Sequence, residues 1–179
     1  MYMFRKIEKT DNDTKIIADL IQKSFSSFPW YENLSKEECL KRILNDFKRT
    51  EFFGYLLYAK GNAIAANWID QISVKQITEQ RGKNLADFVK NLNITNVWWG
   101  RDLVVHPDYQ MNGIGTKIRS YVLKYFRLTN CGEYIFTRMR QDNLGSIKIC
   151  EKLGYSKTGI LVPSSQILGL FHEYYFLKL

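Results

Sequence analysis

Apolar positions along this chain recur with a period near two in some stretches and near three to four in others, and each rhythm predicts an element. Met3 to Ile7 alternates and predicts a first strand. Ile16, Ile17, Leu20, Ile21 and Phe25 follow at helical spacing, behind Asp11 or Asp13 as the cap. Phe28-Pro29-Trp30-Tyr31-Glu32 breaks that helix. Ser35 and Glu38 form a capping box for a second helix ending near Lys48. Phe52–Ala59 and Asn62–Ile69 predict a hairpin around Lys60-Gly61. A more polar stretch from Ser73 keeps Leu85, Phe88, Val89 and Leu92 on one face, which predicts a helical insertion at about residues 73–93. Val97–Val105 reads as a strand, and a glycine loop leads from it into a helix from Gly113 to Leu128. That helix carries Ile114, Ile118, Tyr121, Val122 and Tyr125 on one stripe. Tyr134–Met139 is a strand, Asn143–Leu153 a helix stopped at Gly154, and Tyr155–Leu161 and Phe171–Leu177 closing strands. The order predicts a mixed α/β (α+β) fold in one domain over residues 1–179, without repeats or linkers.

Composition narrows the class. A chain of 179 residues, 45% hydrophobic and 15% aromatic, can build a real core. No apolar run follows MYMFRKIEKT, so no signal peptide is expected, and runs such as Tyr55–Ala59 are too short to span a bilayer. Cys39, Cys131 and Cys150 form no CxxC pair, and His106 and His172 are the only histidines. Neither a metal cage nor a disulfide framework is expected, and a reducing cytoplasm is the simplest compartment. The net charge is +8, and residues 113–179 hold 10 Lys/Arg against 4 Asp/Glu. That basic half suits a phosphorylated cofactor, a nucleic acid or an acidic surface, and equally a solvated face. No RNP-type strand, helix-turn-helix or Arg-rich tract marks nucleic acid as the partner.

The candidate chemistry starts at Val105-His106-Pro107-Asp108-Tyr109-Gln110-Met111-Asn112-Gly113-Ile114-Gly115-Thr116-Lys117. A helix N-terminus presents unpaired N–H groups and partial positive charge, and glycine permits close approach of an anion. No Gly-Lys-Ser/Thr closes a Walker loop, and Ile118 stands where a dinucleotide fingerprint needs its third glycine. A bare GxG is thus compatible with an anion cradle and with a glycine-relaxed turn.

The lead-in from Val104 and the Gly113-Ile114-Gly115 opening resemble the GNAT superfamily of acyl-CoA-dependent N-acetyltransferases, whose central motif looks like V-x-P-x-(Y/F)-(Q/R)-x-x-G-(I/L)-G. Asn143 through Tyr155 resembles its second element, N-x-x-A-x-x-x-Y-x-x-x-G-(F/Y), with Ser146 in place of Ala and Cys150 in place of Tyr. The Phe28–Glu32 loop is similar to the segment bordering the acceptor site in some members. The resemblance implies a mostly antiparallel, twisted mixed sheet, splayed at its central strands, with helices on both faces. It implies acetyl-CoA as cosubstrate, no metal, and a small-molecule amine as acceptor. Backbone N–H groups of Gln110, Met111, Asn112, Gly113, Ile114, Gly115 and Thr116 would cradle the pyrophosphate, and Leu103, Val104 and Val105 would pair with the pantetheine arm. Lys117 and Arg119 fit a phosphate-facing helix start or a solvated surface. Asn143 would bond the cofactor arm or serve as an N-cap. The aromatic last strand is compatible with a homodimer.

The resemblance leaves the proton chemistry open. Trp99, Arg101 and Arg138 stand where family members tend to place bases, and Cys150 where the thiolate's proton donor tends to be. Asp102 is the nearest carboxylate, but strand alternation sets it on the face opposite Arg101 unless a bulge rotates it. It can act as a base or as the partner of a surface cation. Glu32 and Glu173 are further candidate bases, and ordered water is another route. Cys150 can donate a proton or simply fill the core. Trp30, Glu32, Trp99, Arg101 and Arg138 are expected around the acceptor, and two free arginines there would favour an amine carrying a carboxylate or phosphate over a polyamine. His106 reads as exposed. The competing reading is an acyl-CoA-binding module with vestigial catalysis.

Overall fold

The computed structural model describes residues 1–27, 30–49, 51–129, 132–165 and 167–179. Its elements are β1 (Tyr2–Lys6), α1 (Asp11–Phe25), α2 (Lys36–Phe47), β2 (Phe52–Ala59), β3 (Asn62–Ser73), α3 (Val74–Arg81), α4 (Lys83–Asn91), β4 (Asn96–Val105), a 3-10 turn (Pro107–Tyr109), α5 (Ile114–Leu128), β5 (Tyr134–Arg140), α6 (Leu144–Lys152), β6 (Ser156–Pro163) and β7 (Phe171–Lys178). The hydrogen-bonded strand order is β1-β2-β3-β4-β5-β7-β6. Pairing is antiparallel for β1/β2, β2/β3, β5/β7 and β6/β7 and parallel for β4/β5, so the fold is α+β with a mixed sheet. Phe28, Pro29 and Cys131, named above, lie outside the described residues.

Two compact units divide the chain. The first comprises Met1–Asp70 and Arg101–Thr129. Its strand residues alternate between two helical layers. Leu56, Ala66, Trp68 and Val104 pack with Ile17, Ile21, Cys39 and Ile43 of α1 and α2. Leu57, Ile64, Ala65 and Val105 pack with Ile114 and Ile118 of α5. Helices therefore cover both faces of this unit, as strands that bury both sides require. The second unit comprises Gln71–Gly100 and Asn130–Leu179, and its core joins Ile72, Val97, Trp99, Phe136 and Tyr174 to Ile77, Leu85, Ala86 and Val89 of α3 and α4.

Local chemistry corrects three expectations. Thr10, rather than Asp11 or Asp13, caps α1, because its hydroxyl accepts from the Asp13 N–H at 3.2 Å. Asp13 is instead buried, where it pairs with Arg5 and takes the Glu8 N–H at 2.8 Å. The insertion is two helices, broken at Gly82, whose φ of 96° no helix accommodates. His106 is half-buried: its N–H reaches Ile64 O at 2.8 Å and its Nδ1 accepts from Asp108 N–H. The capping box of Ser35 and Glu38 is complete on α2.

Candidate active site

The glycine loop belongs to the first unit. Gly113 caps α5 in the left-handed region (φ 74°), and an added Cβ there would meet only open space. Met111, at φ 59° and 97% exposed, takes the same unusual conformation without being glycine. Gly113 has no side chain to cap the helix, and the Lys117 N–H to Gly113 O bond at 3.0 Å begins the ladder, so the N–H groups of Ile114, Gly115 and Thr116 precede it. Gln110 ties the loop to the strand end through Nε2 to Val105 O at 3.0 Å, and Asn112 folds back through Nδ2 to Gln110 O at 3.0 Å. Thr116 is half-buried. Lys117 lies over the Tyr2 ring at 4.2 Å, whereas Arg119 is enclosed and so is no solvated helix-start cation.

Upstream of the loop, β4 changes phase. Arg101 donates from Nε to Asp70 Oδ1 at 2.8 Å and approaches Asp46 of α2 at 4.0 Å. The next residue, Asp102, is held by Arg42, also of α2, at 2.7 Å. Val104 then packs with the α1/α2 core, while Leu103 and Val105 pack with α5. Two consecutive residues thus face α2, which regular alternation forbids and a bulge permits. Asn67, 3% exposed, donates from Nδ2 to Asp102 O at 2.9 Å and so satisfies the carbonyl at the break.

The result is a mixed group of charges that sequence reading missed in large part. Asp70 is fully buried between Arg101 and, at 3.5 Å, Arg49. Asp46 accepts the Trp68 indole N–H at Oδ2, 2.9 Å away. Burial, followed by repulsion from Asp102, pushes the Asp46 carboxyl up to about 6. The charge of Asp102 raises the Arg42 guanidinium, which also lies 4.6 Å over the Phe25 ring. Glu32, half-buried, adds to the same field and anchors its loop through N–H to Phe25 O at 2.8 Å. Trp30 packs against Phe25 with ring centroids 5.3 Å apart. Because Asp70 neutralises it, Arg101 is not the free cation anticipated, and one of the two charges expected to repel a polyamine is withdrawn. Arg101, Asp102 and Glu32 were the part read from the sequence; Arg42 and Asp46 offered only their spacing of four on the predicted helix, and Asn67, Trp68 and Asp70 no signal beyond their place inside a strand.

The remaining candidates belong to the second unit. Asn143 caps α6, its Oδ1 accepting from the Ser146 N–H at 3.2 Å, and its Nδ2 makes no hydrogen bond among the described residues. Arg138 is exposed on β5. Trp99 is 3% exposed, under the Arg81 guanidinium at 5.0 Å and against the Tyr174 ring. Cys150 is completely enclosed on α6. Glu173 is committed to Lys157 at 3.4 Å and to the Tyr175 hydroxyl at 3.3 Å. The β4/β5 ladder comprises Trp98↔Ile135 and Trp99↔Phe136, with Thr137 Oγ1 donating to Gly100 O at 3.3 Å. Among the described residues, no three His, Cys, Asp or Glu side chains gather as a metal site, and no helix is long and apolar enough to cross a membrane.

A family model described as the acetyltransferase (GNAT) family matches residues 17–155. Solved structures match over nearly the whole chain. The ribosomal-protein-S18-alanine N-acetyltransferase of Escherichia coli superimposes with TM-score 0.67 at 14% identity, covering 99% of this chain and 94% of that one. The yncA protein of Salmonella typhimurium, solved with its cofactor acetyl-CoA, gives 0.65 at 14% identity, over 99% and 93%. The polyamine N-acetyltransferase of Drosophila melanogaster, which forms N-acetylagmatine, gives 0.66 at 12% identity, over 100% of each chain. Comparison with curated proteins gives no match.

Proposed function

The chain belongs to the GNAT acetyltransferase family, and from that premise we propose that it transfers an acetyl group from acetyl-CoA to the primary amine of a small-molecule acceptor, by direct attack on the thioester. The observation that carries the reading is the left-handed Gly113 at the head of α5, with no side-chain cap on the helix and nothing within 4 Å of where its Cβ would stand. The backbone from Gln110 to Thr116 would bind the pyrophosphate. Leu103, Val104 and Val105 would pair with the pantetheine arm, and one of the Val104 and Val105 N–H groups would stabilise the developing oxyanion. Trp30 and Glu32 would border the acceptor.

Asp102 is read as an orienting carboxylate, because Arg42 holds one of its oxygens. Cys150 is read as core, because it is fully enclosed, so a proton for the departing sulfur would come from the acceptor nitrogen. The enclosure of Cys150 and Trp99 also favours the second reading, an acyl-CoA-binding module with vestigial catalysis. The unfolding midpoint with saturating acetyl-CoA, against ATP and NAD, tests the cosubstrate: a ligand at about 100 times its dissociation constant adds roughly 2.7 kcal/mol. Release of free CoA with spermidine, agmatine, amino acids and an alanine-initiated peptide then separates the two readings. Amine-dependent release supports transfer; stabilisation without release supports the binding module.

A further inference from the structure

Three carboxylates of the first unit lie among three arginines, and they are not equivalent. Asp70 is enclosed, with Arg101 on Oδ1 and Arg49 on Oδ2. Asp102 gives Oδ1 to Arg42. Asp46, in the last turn of α2, gives only Oδ2, and to a neutral donor, the Trp68 indole. Its Oδ1 has no hydrogen bond among the described residues; the Arg101 Nε is 4.0 Å away. The side chain is 16% exposed, so this oxygen is set in a largely dry environment without being sealed. Beside it, Arg101 Nη2 is buried and has no hydrogen-bond acceptor among the described residues. An uncommitted acceptor and an uncommitted donor therefore stand together, against the strand residue just upstream of Leu103–Val105. Buried polar atoms left this way are uncommon unless something polar comes to meet them.

We infer that Asp46 is the group that takes the proton from the acceptor amine; the inference rests on the acetyl-transfer reading above. An ammonium has no lone pair and must lose a proton before attack. Oδ1 of Asp46 receives that proton. The freed nitrogen then bonds to the thioester carbonyl carbon while the carbon–sulfur bond breaks. The nitrogen's second proton ends on the sulfur, and Asp46 returns its own proton to solvent. Arginines occupy Oδ1 of Asp102 and both oxygens of Asp70, which sets these two aside. The Trp68 N–H orients Asp46 without adding positive charge, and burial raises its affinity for the proton towards the working pH. None of the base positions implied by family resemblance lies on α2.

The test uses the whole protein, acetyl-CoA and the same amine panel, followed by CoA thiol release as a function of pH. With the best amine, the wild type should show a limb in kcat/KM rising through about 6, fixed in position when an amine of different pKa is substituted. Asp46→Asn should lower kcat at least about 100-fold and abolish that limb. The midpoint gained with acetyl-CoA should be unchanged, which shows an intact fold and cofactor site. Asp46→Glu should recover part of the rate. An Asp46→Asn protein that keeps kcat within about threefold and the same pH limb overturns the assignment while leaving acetyl transfer standing. A wild type stabilised by acetyl-CoA that releases CoA with none of the amines overturns the transfer reading, and the base with it.

Discussion

The indole N–H of Trp68 on β3 donates to Oδ2 of Asp46 on α2 at 2.9 Å, so a neutral donor holds one oxygen of this carboxylate while the Arg101 Nε stays 4.0 Å from the other. Burial and the neighbouring Asp102 raise this carboxyl from 3.8 to about 6. Because the folded value lies above the unfolded one, the contribution to stability is complete below about pH 4 and is lost as the pH rises through 6. At pH 8 the ionised side chain therefore costs up to about 3 kcal/mol. Asp46→Asn keeps an oxygen for Trp68 and removes the charge. It should raise the unfolding midpoint at pH 8 and leave it nearly unchanged at pH 4. An equal shift at both pH values would show that charge is not the cause. A residue that weakens the fold at the pH where it is ionised fits one retained for chemistry.

His172 on β7 gives the opposite sign in the second unit. The residue is 8% exposed, and Nδ1 is buried without a hydrogen-bond partner among the described residues. Burial first, then Arg138 and Arg140, depress its pKa from 6.5 to about 4. The folded value lies below the unfolded one, so its neutral form supports the fold above about pH 6.5 and that support is lost as the pH falls through 4. His172→Gln should flatten the stability profile between those values. The imidazole C–H resonances should titrate near 4 in the folded protein; a midpoint at the ordinary 6.5 would overturn the account.

Most of the fold was legible in the sequence, because it rests on local signals. The Ser35–Glu38 box, the Lys60-Gly61 turn and the Gly113 cap each announce an element through their own chemistry. Gly82 was passed over because a lone glycine inside a helical pattern is tolerated as often as it breaks a helix. The carboxylate group was not legible for a different reason. Asp46, Asp70 and Asp102 come from α2, β3 and β4, and neither their convergence nor the phase change between Arg101 and Asp102 is encoded in any window of a dozen residues. The sequence raised the bulge at Asp102 only as a condition; the Asn67 side chain that satisfies its carbonyl is a tertiary contact.

Gly113 separates backbone conformation from space. An alanine there would have room, since nothing lies within 4 Å of its Cβ, but it would sit at φ 74°. The cost is backbone strain alone, about 1 kcal/mol, or a fall of about 2–4 °C in midpoint. The same methyl group would be added at the head of the helix whose first N–H groups are those of Ile114–Thr116. Gly113→Ala should therefore also reduce the stabilisation gained from acetyl-CoA. A lower midpoint with the full acetyl-CoA gain would mean that the glycine only shapes the turn.

The phase change in β4 makes a prediction about coupling. Asn67 fixes the backbone of Asp102 through its carbonyl, and Arg42 fixes the side chain of the same residue. Asn67→Ala leaves a partly buried carbonyl without its donor, which should cost about 1–3 kcal/mol. Arg42→Met keeps an unbranched apolar side chain but removes the guanidinium from over Phe25 and frees the Asp102 carboxylate. If both residues hold one rotated backbone segment, the second loss should matter less once the first has let the segment relax. The double variant should then be less destabilised than the sum of the single ones by at least about 0.5 kcal/mol. Strict additivity in urea unfolding would mean that Asn67 and Arg42 act on independent features, and that the exposure of Asp102 towards α2 does not depend on the break.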